Sequence, residues 1–245
     1  MTVVAHLSDP HIGATAASVD RLDRVLAEVG RLPRLDALLI TGDLADHGLP
    51  DEYAAFFAAL PPAVPTLVTP GNHDVRDALR PFVPAAGAGP VNSVLDVADL
   101  RLVGLDTSVP GRDEGYLEPA TLAFARNAID QAPGRVLLAM HHPSIPVGNP
   151  VLDGMALTNA SALTELVTSS PSVIGCLTGH VHSGLAGTFA GRPMLGAVGI
   201  VSTLRIDGGT DPLEDRTAMP GLALHTIDDS GGIITVFHAL APGTT

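Results

Sequence analysis

Five short stretches of this chain each place carboxylate, amide or imidazole groups straight after an apolar run. They are Ser8-Asp9-Pro10-His11, Thr41-Gly42-Asp43-Leu44-Ala45-Asp46, Pro70-Gly71-Asn72-His73-Asp74, Met140-His141-His142-Pro143 and Thr178-Gly179-His180-Val181-His182. Taken singly, each has an ordinary reading: Asp and Asn after a strand cap helices and make turns, and a histidine pair packs in a core. Taken together, they put metal-ligating and proton-transferring groups at the ends of several strands. The crevice beyond the carboxyl ends of strands is where open α/β sheets bind ligands. Asp9 and His11 stand two apart on extended chain, so both project to one side. Mixed carboxylate and imidazole donors suit Mn, Fe, Zn or similar ions, and the lack of thiolates disfavours a closed structural zinc site.

Positioning such groups needs strands in series, and the apolar runs supply them. Strands are expected at Val3–Leu7, Ala37–Ile40, Thr66–Val68, Leu100–Leu105, Val136–Ala139 and Val173–Leu177. Val19, Leu22, Val25, Leu26 and Val29 recur at helical spacing behind a candidate cap, Ser18. Further helices are expected at Pro50–Ala59, Pro119–Gln131 and Asn159–Ser169. Alternation of this kind is the mark of α/β layers. After Gly184 the pattern turns to short strands with Gly turns and no clear helix, which predicts a mainly antiparallel second sheet closing the fold. Pro143–Gly154 and Asp207–Gly221 read as long loops, a length often associated with function. No repeat or linker breaks the chain, so residues 1–245 are read as one domain.

Composition narrows the partners. A formal charge of −13 over 245 residues argues against a nucleic-acid polymer or an anionic membrane as partner, since both need a basic face. The lone cysteine, Cys176, permits no intramolecular disulfide and fits a reducing compartment. With no apolar stretch of about 18 residues and no signal-like start, the reading is a cytoplasmic protein without a membrane span.

In order along the chain, the motifs D-x-H, G-D-x-x-D, G-N-H-D, H-x-P and G-H-x-H resemble those of the calcineurin-like metallophosphoesterases. The surrounding "GDLADHG", "GNHDVR" and "MHHPSIP" look most like the bacterial class III cyclic nucleotide phosphodiesterase and glycerophosphodiesterase branch. The resemblance implies an α/β fold, a four-layer αββα sandwich of two mixed sheets flanked by helices. It also implies two metal ions, Mn²⁺ and/or Fe²⁺/Fe³⁺ with Zn²⁺ as an option. By the resemblance, Asp9, His11, Asp43 and His182 would hold one, and Asp43, Asn72, His141 and His180 the other. Relatives of this kind are often homodimers.

The activity so implied is hydrolysis of a small phosphodiester, 3′,5′-cyclic nucleotides among the options, by a metal-bridging hydroxide. Glycerophosphodiesters, phosphomonoesters and a non-catalytic binding scaffold are the alternatives. His73 is the candidate general acid or transition-state stabiliser near the leaving oxygen, with Asp74 to fix its tautomer or else to cap a helix. Asn72 and His73 would face substrate, and His142 and Arg76 are weaker candidates to do so. Asp46 would support the site from behind or be a solvated loop carboxylate. His6, His47, His225 and His238 carry no motif and are read as structural, with His47, which borders the site loop, the first exception. Ser144, Ser183 and Gly184 depart from the branch where substrate would be read.

Overall fold

A computed structural model describes residues 1–84, 87–205 and 212–240. The expected elements are present: β1 (Thr2–Leu7), α1 (Ser18–Val29), β2 (Ala37–Thr41), α2 (Pro50–Ala59), β3 (Thr66–Thr69), β5 (Leu100–Leu105), α4 (Pro119–Asp130), β6 (Arg135–Met140), α6 (Ala160–Ser169) and β7 (Val173–Thr178). Joining them are α3 (Arg76–Leu79), β4 (Ser93–Val97), α5 (Pro150–Gly154), β8 (Leu185–Phe189), β9 (Arg192–Gly196), β10 (Thr203–Leu204), β11 (Glu214–Asp215), β12 (Gly221–Ile227) and β13 (Ile233–Ala239).

Two mixed sheets result. One runs β13-β12-β1-β2-β3, the other β4-β5-β6-β7-β9-β8. Strands β1, β2 and β3 pair in parallel, as do β5, β6, β7 and β9, with antiparallel strands at the margins. The period of two along β2 shows how the layers arise. Leu38 and Ile40 pack with Leu22, Val25 and Phe56 of the helices, whereas Ala37 and Leu39 pack with Leu102, Leu137 and Leu177 of the other sheet. On the far side, α4 and α6 cover the second sheet through Ala125, Leu163 and Leu166. Full burial of each such Leu or Ile contributes about 1.5–3 kcal/mol. The order is helix, sheet, sheet, helix, as the sequence led us to expect.

Three expectations change. The strands after Gly184 do not build a closing second sheet: β8 and β9 extend the six-stranded sheet, β12 and β13 return to the first, and the short β10 and β11 pair apart from both. Ala190 and Gly191, both with positive φ, make the two-residue β8–β9 turn of a primed hairpin, and β9 then finds an open edge on β7. Ser18 begins α1 instead of capping it, and its hydroxyl accepts from Thr15 N at 3.2 Å. Pro143–Gly154 is not all loop, because Asn149 accepts from Val151 N and Leu152 N and so starts α5. Of Asp207–Gly221, residues 207–211 lie outside the described residues, and the remainder includes β11. No helix among the described residues is long and apolar enough to cross a membrane.

Candidate metal centre

The carboxyl ends of β1, β2, β3, β6 and β7 are stitched together by hydrogen bonds. Asp9 N donates to Gly42 O, Gly179 N to His141 O at 3.0 Å, His180 N to Asp9 Oδ1 at 3.2 Å, and His73 N to Asp43 Oδ1 at 2.9 Å. Strand ends this close leave no room for side chains between them. A Cβ on Gly71 would lie 2.5 Å from Asp43 N, and one on Gly179 would lie 2.2 Å from Thr41 O. Backbone conformation is unusual here too: Asp9, His11, Asp43, His180 and His182 all have positive φ, which among non-glycine residues is shared only with Ala98 and Ala190 in the described chain. Left-handed backbone at a non-glycine residue costs on the order of 1 kcal/mol and concentrates where function demands it.

The side chains so aimed form two adjoining groups. Asp9, His11, Asp43 and His182 each bring a donor atom within 4.8 Å of the others. His11 Nε2 lies 3.3 Å from His182 Nε2 and 3.4 Å from Asp43 Oδ2, and His182 Nε2 lies 3.5 Å from Asp9 Oδ1. In the other group, His141 Nε2 lies 3.1 Å from Asn72 Oδ1, 3.3 Å from Asp43 Oδ2 and 3.2 Å from His180 Nδ1. Asp43 Oδ2 therefore stands between the groups and touches both.

Hydrogen bonds on the outer side fix which ring nitrogen faces in. His141 Nδ1 donates to the carbonyl of Thr41 at 2.9 Å, which can only accept, so Nε2 presents its lone pair inward. His11 does the same by donating Nδ1 to Asp46 Oδ1 at 2.9 Å, and His182 Nδ1 meets Ser202 Oγ at 2.6 Å. Asp9 Oδ2 and His180 Nε2 are buried without any hydrogen-bond partner. Burial would lower the pKa of His11 and of His141, but the Asp43 carboxylate reverses this and raises each to about 9. Against the cost of its own burial, Asp43 is held well below the usual carboxylate range by His141 and His11. Positive charge is thus in demand at the two inner nitrogens. Inward lone pairs, carboxylates and orphaned buried polar atoms fit a pair of divalent cations with imidazole and oxygen ligands.

The neighbouring candidates fall into place differently. His73 is the most open of the group, and its Nδ1 donates to Asp46 O at 2.8 Å. It is this carbonyl, and not Asp74, that orients the ring. Asp74 is neither partner to His73 nor a helix cap: it accepts from Gly71 N, Leu44 N, Ala45 N and Tyr53 Oη, tying the β2 and β3 loops together. Burial and the nearby Asp43 raise its carboxyl to about 6. Arg76 is engaged by protein groups: it pairs with Asp106 at 2.7 Å and Glu118 at 2.8 Å and donates to Ser108 O. His142 accepts from Thr107 Oγ1 and donates to Asp113 O, so both nitrogens are occupied although the ring lies edge-on to His141 and tilted against His180, and burial pushes its pKa down to about 3. Asp46 does back the site, through His11 and His73. Sequence reasoning missed Tyr53, Ser202 and Glu214, which lie in no motif.

Comparison with known proteins identifies the family. The sequence model of the calcineurin-like phosphoesterase family matches residues 2–184. The 3′,5′-cyclic adenosine monophosphate phosphodiesterase CpdA of Pseudomonas aeruginosa is 36% identical over 190 residues, covering 74% of this chain and 69% of that protein. The glycerophosphodiester phosphodiesterase GpdQ of Enterobacter lignolyticus is 32% identical over 197 residues, covering 74% and 71%. Among solved structures, a dimetal phosphatase from Danio rerio superposes with a TM-score of 0.72 at 16% identity, covering 97% of this chain and 99% of that one, and shares the fold.

Proposed function

The chain belongs to the calcineurin-like phosphoesterase family, and on that premise we propose that it hydrolyses small phosphodiesters, 3′,5′-cyclic nucleotides first among them, at a two-metal centre. The observation that carries this reading is Asp43 Oδ2, within 3.4 Å of His11 Nε2 and 3.3 Å of His141 Nε2, at the meeting of two donor groups. Asp9, His11, Asp43 and His182 would hold one ion, and Asp43, Asn72, His141 and His180 the other. Mn²⁺ and iron are the candidates, with Zn²⁺ a further one. Bound there, two divalent ions would acidify water, offset the carboxylates of Asp9 and Asp43 and polarise phosphoryl oxygens.

The protein's own part is orientation and proton transfer. Asp46, Thr41 O and Ser202 keep three imidazoles turned with Nε2 inward. His73 N holds the second oxygen of Asp43 in place. With His73 Nδ1–H committed to Asp46 O, a second proton taken up on Nε2 makes the ring an imidazolium, and Nε2 is then the atom that delivers that proton to the leaving oxygen. The net charge of −13 disfavours a long polyanion and favours a small substrate drawn to the site itself.

Glycerophosphodiesters are the second reading, supported by the likeness to GpdQ. Purified protein with Mn²⁺ should be assayed on cyclic AMP, a glycerophosphodiester, bis-p-nitrophenyl phosphate and p-nitrophenyl phosphate. Diesters turning over faster than the monoester, with cyclic AMP preferred, is the expected result. Preference for the monoester would overturn the substrate class, and preference for the glycerophosphodiester would establish the second reading.

A further inference from the structure

His182 differs from His11 and His141 in what holds its outer nitrogen. A carboxylate holds His11 and a carbonyl holds His141, and neither group can give a proton back. A hydroxyl holds His182, and a hydroxyl can donate as well as accept. Ser202 Oγ is fully buried, 2.6 Å from His182 Nδ1 and 2.9 Å from Glu214 Oε2. Its single proton goes to Glu214, so it accepts from Nδ1–H and leaves Nε2 unprotonated, 3.5 Å from Asp9 Oδ1. Remove the carboxylate, and the best remaining acceptor for the hydroxyl is His182 Nδ1. The ring proton then moves to Nε2, the atom that must be bare to bind a cation.

We propose that Glu214, acting through Ser202, is a positioning residue that holds His182 in its cation-binding tautomer and thereby sets the affinity of one of the two metal sites. The inference rests on the two-metal reading above. It assigns a task to chain beyond residue 184, where the family match ends. Local structure is built for it. Ser202 directly precedes β10, β10 pairs with β11 so that Leu204 faces Glu214, and Leu204 N donates to Ser183 Oγ, next to His182. Ser183, which breaks the branch's pattern, thus secures the hairpin that carries the relay. Gly184 keeps clear a contact with the Phe237 ring, which a Cβ would meet at 3.0 Å.

The test is Mn²⁺ titration calorimetry on the full chain, with histidine ring ¹⁵N spectra of the chelated protein. Wild type should bind two ions and show His182 as the Nδ1–H tautomer. Glu214→Ala and Ser202→Ala should each weaken one site about 10–100-fold and leave the other unchanged, as loss of a partner behind a metal-bound histidine does. Glu214→Ala should also move His182 to Nε2–H. Because both residues act along one path, the double variant should bind no more weakly than Ser202→Ala alone. Wild-type affinity at both sites, equal weakening of both, or an unchanged tautomer in Glu214→Ala would each overturn the proposal. A wild-type chain that binds no Mn²⁺ would instead overturn the metal reading beneath it.

Discussion

His11 Nε2 and His182 Nε2 face each other at 3.3 Å while their other nitrogens are engaged by Asp46 and Ser202. Two imidazole lone pairs at that distance repel unless a proton or a cation lies between them, so the folded chain has a standing preference for a bound cation. Chelation should therefore lower thermal stability, and Mn²⁺ should restore it. At 100 times its Kd, one bound ion adds about 2.7 kcal/mol, on the order of 5–10 °C for a domain of this size. Scanning calorimetry with and without chelator checks this, and a melting temperature indifferent to Mn²⁺ would count against any metal centre here.

His73 is held by Asp46 O on one ring nitrogen and is more exposed than the inner histidines, which suits transfer of a proton and not ligation. His73→Gln should lower kcat on cyclic AMP about 10²–10⁴-fold with metal content unchanged. The deficit should shrink on bis-p-nitrophenyl phosphate, whose leaving group needs no proton. Equal losses on both substrates would remove His73 as the general acid.

Asp74 sits beside the proposed ligand Asn72 but works in the scaffold. Tyr53 Oη donates to Asp74 Oδ1 at 3.0 Å and accepts from Val75 N at 2.8 Å, all behind a fully buried ring. Tyr53→Phe leaves a backbone N–H and a carboxylate oxygen short of a partner, at a cost of about 1–3 kcal/mol. Urea unfolding should show that loss while kcat at saturating Mn²⁺ stays within a few-fold of wild type. A large fall in kcat with unchanged stability would return Asp74 to the chemistry.

Gly71 lets β3 end against Asp43. An alanine there would press its Cβ on Asp43 N at 2.5 Å, and backbone cannot swing aside as a flexible side chain can. Asp43 touches both donor groups, so Gly71→Ala should reduce binding of both ions, unlike Glu214→Ala. Metal content after gel filtration distinguishes the two, and a full complement of ions in Gly71→Ala would show that the loop yields.

Much of this was legible in the sequence because periodicity and motif coincide there. The β2 run is apolar on both faces and ends in a glycine and two aspartates, so element and site are read together. The site histidines stood out for the same reason. What could not be read were partners distant in sequence. Asp74 looked catalytic because it follows His73, yet its partners come from residues 44, 45, 53 and 71. Arg76 likewise meets Asp106 and Glu118, far along the chain. Strands β12 and β13 carry ordinary alternation, and alternation does not say which sheet edge a strand will join.

His6 and His225 carry the last prediction. His225 Nε2 and His6 Nδ1 lie 3.0 Å apart, with His6 Nε2 on Thr41 Oγ1 and His225 Nδ1 on Thr235 Oγ1, each at 2.8 Å. The pair is fully buried, and burial lowers His225 to about 4 and His6 well below its ordinary value, with His225 adding to the latter. Both are neutral in the fold at pH 7, and in the unfolded chain both take up protons as pH falls through about 6.5. The unfolded state then binds more protons, so stability is flat above that point and falls below it, the His225 share being lost between about pH 6.5 and 4 and the His6 share in the same direction. For His225 alone the loss reaches about 2 kcal/mol by pH 5. Urea midpoints of the chelated chain at pH 7.5 and 5.0 should show it, and His225→Gln should lose correspondingly less on acidification. An identical loss in that variant would mean that other groups carry the acid sensitivity.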